Sequence, residues 1–381
     1  MNITGIICEY NPLHNGHKRQ LDTIRATGPD AGIVCLMSGN FVQRGMPAIF
    51  DKALRAKAAI ECGADLVLEL PVTAALSSAE TFASAGVSIL SGFCHKLCFG
   101  AENADTEAMM QIAKALLKPR FSESLRQQLD TGLSFPAARQ KALHALGIDT
   151  GLLDLPNNIL AVEYCKAILS QGSALIPMPI FRGGNYHDEM PDNENPSATA
   201  VRCLLQETRP WKKYVPQQAH TCFENATHHT LSAGERAILS RLRTMTDSEF
   251  EALPYGSEGL WRKLMHNARS KASLEDILCA TKSKRYTRTR LDRMVMCAFL
   301  RLTQKDLDTP APYVRVLALN NRGREILKIA RQTGTFLNIG QHYDHPYQHL
   351  ENRCSDLYGL FATAKPESAG TESSYRIYYK D

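Results

Sequence analysis

The order of apolar and polar positions changes period along this chain. Near the start, the apolar run 3–8 (ITGIIC) stops at Glu9-Tyr10-Asn11-Pro12, and a polar helical stretch follows from Gly16 to Ala26. The pattern repeats: an apolar run at 31–37 (AGIVCLM), a polar loop at 38–47, a helical stretch at 51–62, and a second apolar run at 64–71 closed by Pro71. A small-residue helical stretch, 73–90, then leads to the short strand 96–103 (KLCFGAEN). Apolar strands without alternation, separated by helices of about ten or more residues, predict a parallel sheet covered on both faces. The predicted class is α/β: a doubly wound domain whose ligand crevice lies at the carboxyl ends of the strands. The loops 9–17, 38–47 and 100–103 each follow a strand, so all three are expected on that edge.

Further along, residues 104–150 read as amphipathic helices, with Met109, Ile112, Leu116 and Leu117 at helical spacing. Pro156 opens a helix to 169, residues 174–182 give the last strand of the series, and 197–206 start another helix after the polar loop GGNYHDEMPDNENP. Beyond Pro210 the pattern is mainly helical over 231–300, with one further strand at 312–319 and a helix at 321–332. The last thirty residues read as irregular, rich in Tyr and polar side chains. The boundary falls near 205–215, giving an activating domain at 1–207 and a mainly helical, basic region at 208–381. No internal repeat or low-complexity tract is apparent.

Composition narrows the class. With 381 residues, 44% hydrophobic and 22% charged, this is an ordinary globular chain long enough for two domains. No apolar run approaches the ~20 residues of a membrane span, and no signal peptide is apparent, so a cytoplasmic protein without a membrane partner is expected. The eleven cysteines are scattered without a CxxC pair, and Cys8 and Cys35 lie inside strands, where they read as core. Net charge is only +5, but residues 282–293 (KSKRYTRTRLDR) carry six basic residues and one acidic residue, Asp292. Such clustering, with Tyr286 inside it, suits phosphates and an unpaired base. A solvated helix face is the plain alternative.

Two stretches point to phosphate chemistry. In His14-Asn15-Gly16-His17 the helix start offers free amides and a favourable dipole, and two histidines three apart can face one oxyanion. In Ser197-Ala198-Thr199-Ala200-Val201-Arg202 a Ser/Thr-rich helix start supplies hydroxyls and amides, with Arg202 one turn in. Either alone also reads as a simple turn or N-cap.

Together they form the pattern of the HIGH-type nucleotidyltransferase superfamily. EYNPLHNGH, MSGNFVQRG, ADLVLELP, FGAEN, PNNILAVEY, YHD, SATAVR and KRYTRTRLDR together resemble the bacterial tRNA(Met) cytidine acetate ligases. The resemblance runs from the N-terminus to about Leu319. It implies that ATP activates acetate as acetyl-adenylate, with acetyl transfer to N4 of the wobble cytidine in the anticodon of elongator tRNA(Met). It also implies His14, His17 and Arg202 as catalytic residues. ATP would be bound by Ile7, Cys8, Glu9, Tyr10, Asn11, His14, Gly16, His17, Gln20, Gly100, Asn158, Arg182, Ser197 and Thr199, with Glu102 close by and with Lys18 and Arg44 adding charge. Mg²⁺ is expected with ATP, without a protein ligand to name. The tRNA would meet Lys282, Lys284, Arg285, Tyr286, Arg288, Arg290 and Arg293, with Trp211, Lys212 and Lys213 extending the surface; DNA is not an expected partner. The alternatives are an adenylyltransferase for a small phosphorylated metabolite and a non-catalytic RNA- or nucleotide-binding protein on the same fold. His342, His345 and His349 read as surface or RNA-contact residues, because Pro346 breaks any helix that would align them on a metal.

Overall fold

The computed structural model describes residues 1–182 and 197–381; the YHD stretch at 186–188 lies outside them. Five strands form the predicted parallel series: β1 (Asn2–Cys8), β2 (Ala31–Ser38), β3 (Leu66–Leu70), β4 (Lys96–Ala101) and β5 (Ile176–Phe181). Their order is β3-β2-β1-β4-β5, and every neighbouring pair is parallel. The order reverses beside β1, which puts the switch point at the turn carrying His14. Apolar residues on both faces explain the lack of alternation. In β2, Val34 and Leu36 pack into one core, while Ile33, Cys35 and Met37 pack into the other.

Helices cover the two faces as expected. On one face lie α1 (Asn15–Arg25) and α2 (Lys52–Glu61); on the other lies α3 (Ala79–Ser91). The predicted helix 73–90 is in fact two. A short turn, Val72–Ala75, ends before Ser78, whose hydroxyl accepts from the Thr81 amide and starts α3 afresh. The 104–150 stretch likewise splits into Thr106–Leu116, Pro119–Asp130 and Phe135–His144, with prolines in the first turns of the last two. Next come α4 (Pro156–Ser170), on the α3 face, and α5 (Ala198–Gln206), on the α1 face.

The chain beyond residue 208 is mainly helical and packs around Leu242, Leu264, Ile277 and α6 (Arg288–Leu300), in a core that also takes in Phe41, Val72 and Leu76. It also returns to the sheet. Strand β6 (Val314–Asn320) pairs antiparallel with β3, and β7 (Phe336–Asn338) and β8 (Tyr378–Lys380) pair with β6. The sheet therefore draws on both sides of residue 208. Where an irregular C-terminus was expected, β8 forms a sheet edge, and α8 (Pro346–Tyr358) follows α7 (Asn321–Ala330).

A buried charge cluster fixes this return. The Lys52 ammonium lies 2.9 Å from both Glu69 oxygens and 2.8 Å from Glu372. Arg315, on β6, pairs with Glu372 and stands 3.3 Å from Glu351 on α8. Three carboxylates face two cations in a dry site, so one charge is in excess. Burial, against the pull of Arg315, pushes the Glu351 carboxyl up to about 7. The folded carboxyl thus holds its proton to higher pH than the unfolded chain does. Folding takes up a proton between the ordinary carboxylate range and about 7, and stability falls as pH rises through that window. Glu351→Gln keeps an acceptor for the Tyr313 hydroxyl (2.7 Å) and removes this titration. Urea unfolding at pH 5 and pH 7.5 should show a smaller loss for the variant than for wild type; equal losses would refute the assignment.

Candidate active site

The carboxyl ends of β1, β2, β4 and β5 open into a cavity of about 670 Å³. It is lined by the turn after β1, by Gln43 and Arg44 from the 38–47 loop, by Gly100 and Arg182, by the start of α4, and by Ser197, Thr199 and Arg202 of the α5 start. The three loops expected on one edge thus meet there, and HNGH is brought face to face with SATAVR.

The turn after β1 is built by a buried cation. Arg55, with no exposure, donates from Nε to the Phe50 carbonyl (2.9 Å), from Nη1 to the carbonyls of Glu9 (2.6 Å) and Ser38 (3.1 Å), and from Nη2 to that of Gly39. One guanidinium therefore ties the ends of β1 and β2 together. The Asn11 side chain accepts from the Ile49 amide at 2.8 Å, and Tyr10, buried at positive φ, turns the chain into α1.

His14 then caps α1. Its Nδ1 accepts the Gly16 amide at 3.1 Å, and His17 Nδ1 accepts the His14 amide at 3.3 Å. The rings stack with centres 3.8 Å apart. With each Nδ1 used as an acceptor, the proton of each neutral ring sits on Nε2. Burial, then the charge of Arg182, holds His17 down to about 3; burial, then His17 and the neighbouring arginines, holds His14 well below the ordinary histidine range. The pair is therefore neutral around pH 7 and presents N–H donors. His14 Nε2 is buried without a partner among the described residues, a state that costs about 1–3 kcal/mol and that an oxyanion acceptor would relieve.

At position 16 a Cβ would stand 3.0 Å from the His14 ring, so a side chain there would crowd the cap. At Gly100 the reverse holds. Among the described residues a Cβ would meet nothing nearer than Arg182 Cδ at 3.8 Å, so their packing leaves room for a side chain there.

Of the residues assigned to ATP, Ile7, Cys8, Glu9, Tyr10, Asn11, His14, Gly16, His17, Gln20, Gly100, Arg182, Ser197 and Thr199 all line this cavity, as does Arg202. Asn158 is not among the cavity-lining residues. It is fully buried one layer behind the wall, its Oδ1 accepting the Asn103 amide at 3.1 Å, while Asn157 lines the cavity. Glu102 also turns away from the cavity, accepting the Asn157 (3.2 Å) and Asn158 (2.9 Å) amides at the N-terminus of α4. Ser197 Oγ is the N-cap of α5, accepting the Ala200 amide at 3.0 Å. Arg202 donates to the Asn11 carbonyl at 2.5 Å and to Thr199 Oγ1 at 3.0 Å, tying the two motifs together. Burial raises the Cys8 thiol well above its ordinary value, which fits a wall residue rather than a nucleophile. Arg19, Arg44, Arg182 and Arg202 line the cavity against one carboxylate, Glu9, among the described residues, so its field suits a polyanion.

Some contributors gave little sign in the sequence. Arg55 sits in KALRAKAAIE, which looks like a surface helix. Thr289, from the first turn of α6, also lines the cavity, although the basic run it belongs to suggested only RNA. Within that run Lys282, Lys284 and Arg285 are exposed, whereas Arg288 is held by Glu275 (2.8 and 2.6 Å) and Asp292 (2.9 Å). Arg285 and Tyr286 share Glu258. Arg293 is only 9% exposed and is bonded to the Gln43 carbonyl. His345 caps α8 through Nδ1, and no group of three metal-binding side chains occurs among the described residues.

Comparison with known proteins agrees with this geometry. The HIGH Nucleotidyl Transferase family model matches residues 1–373. A tRNA(Met) cytidine acetate ligase of Clostridium perfringens is 38% identical over 354 residues, covering 86% of this chain and 87% of that protein. One from Alkaliphilus metalliredigens is 35% identical over 412 residues, covering 98% and 97%. The apo crystal structure of Thermotoga maritima TmcAL superposes with a TM-score of 0.90 at 28% identity, covering 100% of both chains. Its complex with alpha-thio ATP gives 0.87. The motifs at the strand ends, the sheet order and these likenesses agree: the chain belongs to the HIGH nucleotidyl transferase family and, within it, to the tRNA(Met) cytidine acetate ligases.

Proposed function

We infer that this chain activates acetate with ATP as acetyl-adenylate and transfers the acetyl group to N4 of the wobble cytidine of elongator tRNA(Met). The observation that carries the reading is the neutral His14–His17 pair, held by its own backbone amides so that the Nε2 protons are left to donate. In the first half-reaction an acetate oxygen attacks the α-phosphorus and the bond to the bridging oxygen breaks, releasing pyrophosphate. Charge grows on the phosphate oxygens, and fixed donors aimed there lower the barrier without reorganising. Arg182 and Arg202 add positive charge along the same wall. In the second half-reaction the cytidine N4 attacks the acetyl carbonyl, AMP leaves and N4 gives up a proton.

Alpha-thio ATP in the Thermotoga structure supports ATP as the nucleotide here, and the cavity's arginines and unpartnered His14 Nε2 suit its phosphates. Mg²⁺ fits as an ion carried in on the triphosphate. Glu9, the one carboxylate lining the cavity among the described residues, already accepts the Gln43 amide, so no ready protein ligand set presents itself. The ion would screen the phosphate charge. Residues 1–207 supply most of the activating site and 208–381 the RNA surface, with Lys282, Lys284 and Arg285 its most open cations. No helix among the described residues is long and apolar enough to cross a membrane, in keeping with a cytoplasmic enzyme acting on tRNA.

The test is purified protein with ATP, labelled acetate and bulk tRNA; label should enter RNA only when ATP is present. His17→Ala should lower acetate-dependent AMP formation by roughly a hundred- to a thousandfold with the fold intact; turnover at the wild-type rate would remove its role. Gly100→Ala should leave stability within about 0.5 kcal/mol, since nothing crowds the new methyl, yet weaken ATP binding by titration calorimetry. Unchanged ATP affinity would move the nucleotide off β4. Replacing Lys282, Lys284 and Arg285 with Ala should weaken tRNA binding and flatten its dependence on salt. A slope equal to that of wild type would exclude these residues as the RNA surface.

A further inference from the structure

The six basic residues of 282–293 look alike in sequence, but the fold divides them. Lys282, Lys284 and Arg285 precede α6 and are exposed. Arg290 and Arg293, on the helix, are spent on the protein. Arg290 donates from Nε and Nη2 to the Tyr255 carbonyl (3.0 and 2.9 Å) and from Nη2 to Ser257 Oγ (2.9 Å). Arg293 donates from Nη1 to the Gln43 carbonyl at 3.3 Å, and its guanidinium stands 5.2 Å from the centre of the Tyr255 ring.

These contacts close a circuit around the 38–47 loop. The Tyr255 hydroxyl donates to the Leu76 carbonyl at 3.0 Å, and Gln43 Nε2 donates to the next carbonyl, that of Ser77, at 3.2 Å. Gly45, at φ +76°, brings the loop directly onto α6. A Cβ there would lie 2.4 Å from the Arg293 amide nitrogen and 2.5 Å from the Asp292 carbonyl carbon. On its other side the same loop forms the cavity wall. The Gln43 amide donates to Glu9 Oε1 at 2.9 Å, and Glu9, Gln43 and Arg44 all line the cavity.

We propose that Arg293 is a positioning residue for the adenylation step and not an RNA contact. Through the Gln43 carbonyl it fixes the wall of the ATP cavity, so the helix that continues the RNA-facing stretch also sets the geometry of the activating site. This rests on the ligase reading above. Two properties suit arginine to the task. Its fork can hold a carbonyl while its flat face lies against Tyr255, and its charge is tolerated in a nearly buried site because carbonyl and ring both present negative potential. Lysine could reach the carbonyl but lacks the flat face.

The test uses the full chain as wild type, Arg293→Ala, Arg293→Lys and Gly45→Ala. Acetate-dependent exchange of labelled pyrophosphate into ATP reads adenylation without RNA, and tRNA binding over a salt series reads the RNA surface. Arg293→Ala should lose roughly ten- to a hundredfold in exchange kcat/KM, the cost of a small displacement in a preorganised site. Arg293→Lys should regain part of that loss. Gly45→Ala, which pushes the loop off α6 without changing charge, should lose exchange in the same way. In all three the salt slope of tRNA binding should equal that of wild type. Wild-type exchange in Arg293→Ala with a salt slope shallower by about 0.7–1 would overturn the proposal and make Arg293 a phosphate contact. If Arg293→Ala fails to fold by circular dichroism, the Lys and Gly45 variants decide, and wild-type exchange in both would overturn the proposal. A wild-type chain without acetate-dependent exchange would instead overturn the ligase reading.

Discussion

The site depends on one buried cation. Among the described residues Arg55 has no carboxylate in its hydrogen-bonding shell; it has four carbonyls, from Glu9, Ser38, Gly39 and Phe50. Removing it would leave those acceptors dry and unpaired at the ends of two strands, the kind of loss that costs far more than an average hydrogen bond. Its presence has two effects. It brings the turn after β1 and the loop after β2 into one rim, and it leaves positive potential under the place where a polyanion is to bind. A carboxylate partner would have achieved the first effect and cancelled the second.

The 38–47 loop is consequently held from three directions. Arg55 takes its first carbonyls. Below, Gly39 leaves room for Glu69, whose Oε1 would stand 2.2 Å from a Cβ at that position and which is fixed by Lys52. Above, Gly45 meets the backbone of α6 and Arg293 takes the Gln43 carbonyl. Each anchor comes from a different stretch of chain, and the Lys52 cluster extends through Glu372 and Arg315 into the C-terminal strands. Arg44 is therefore carried on a wall fixed by distant parts of the molecule, although the loop itself has only a two-residue hairpin at Phe41–Val42 and Met46–Pro47.

What was legible in the sequence was whatever is local. The strands after which loops open, the cap at His14 and the Ser197 start of α5 each follow from a few adjacent residues, and the structure has them. What was not legible is whatever depends on solvent and on distant partners. Lys52 and Arg55 look like solvated helix cations, yet their partners lie up to 320 residues away and exclude water. Arg293 is indistinguishable from Arg285 as a letter in a basic run; only the packing of Gly45 against α6 tells them apart. Asn157 and Asn158 are adjacent on a helix start, and nothing in the letters says which of the two lines the cavity. The antiparallel return of β6 has no local signal, since its apolar run fits either direction.

The return also bears on why the two parts of the chain share a sheet. An acyl-adenylate is readily lost to water, so its formation and use are best confined to one cavity. Here the cavity wall comes from the β1 turn on one side and, through Thr289 and the Gln43 circuit, from α6 on the other. A linker between independent domains would leave those walls free to part. Pairing β6 with β3, and locking that pair with the Lys52–Glu69–Glu372–Arg315 cluster, sets the distance between them by backbone hydrogen bonds and buried charge. The buried cluster is a poor bargain for stability, with its third carboxylate pushed toward protonation. What it supplies is a single register between β3 and β6, and so between the two stretches of chain that wall the cavity.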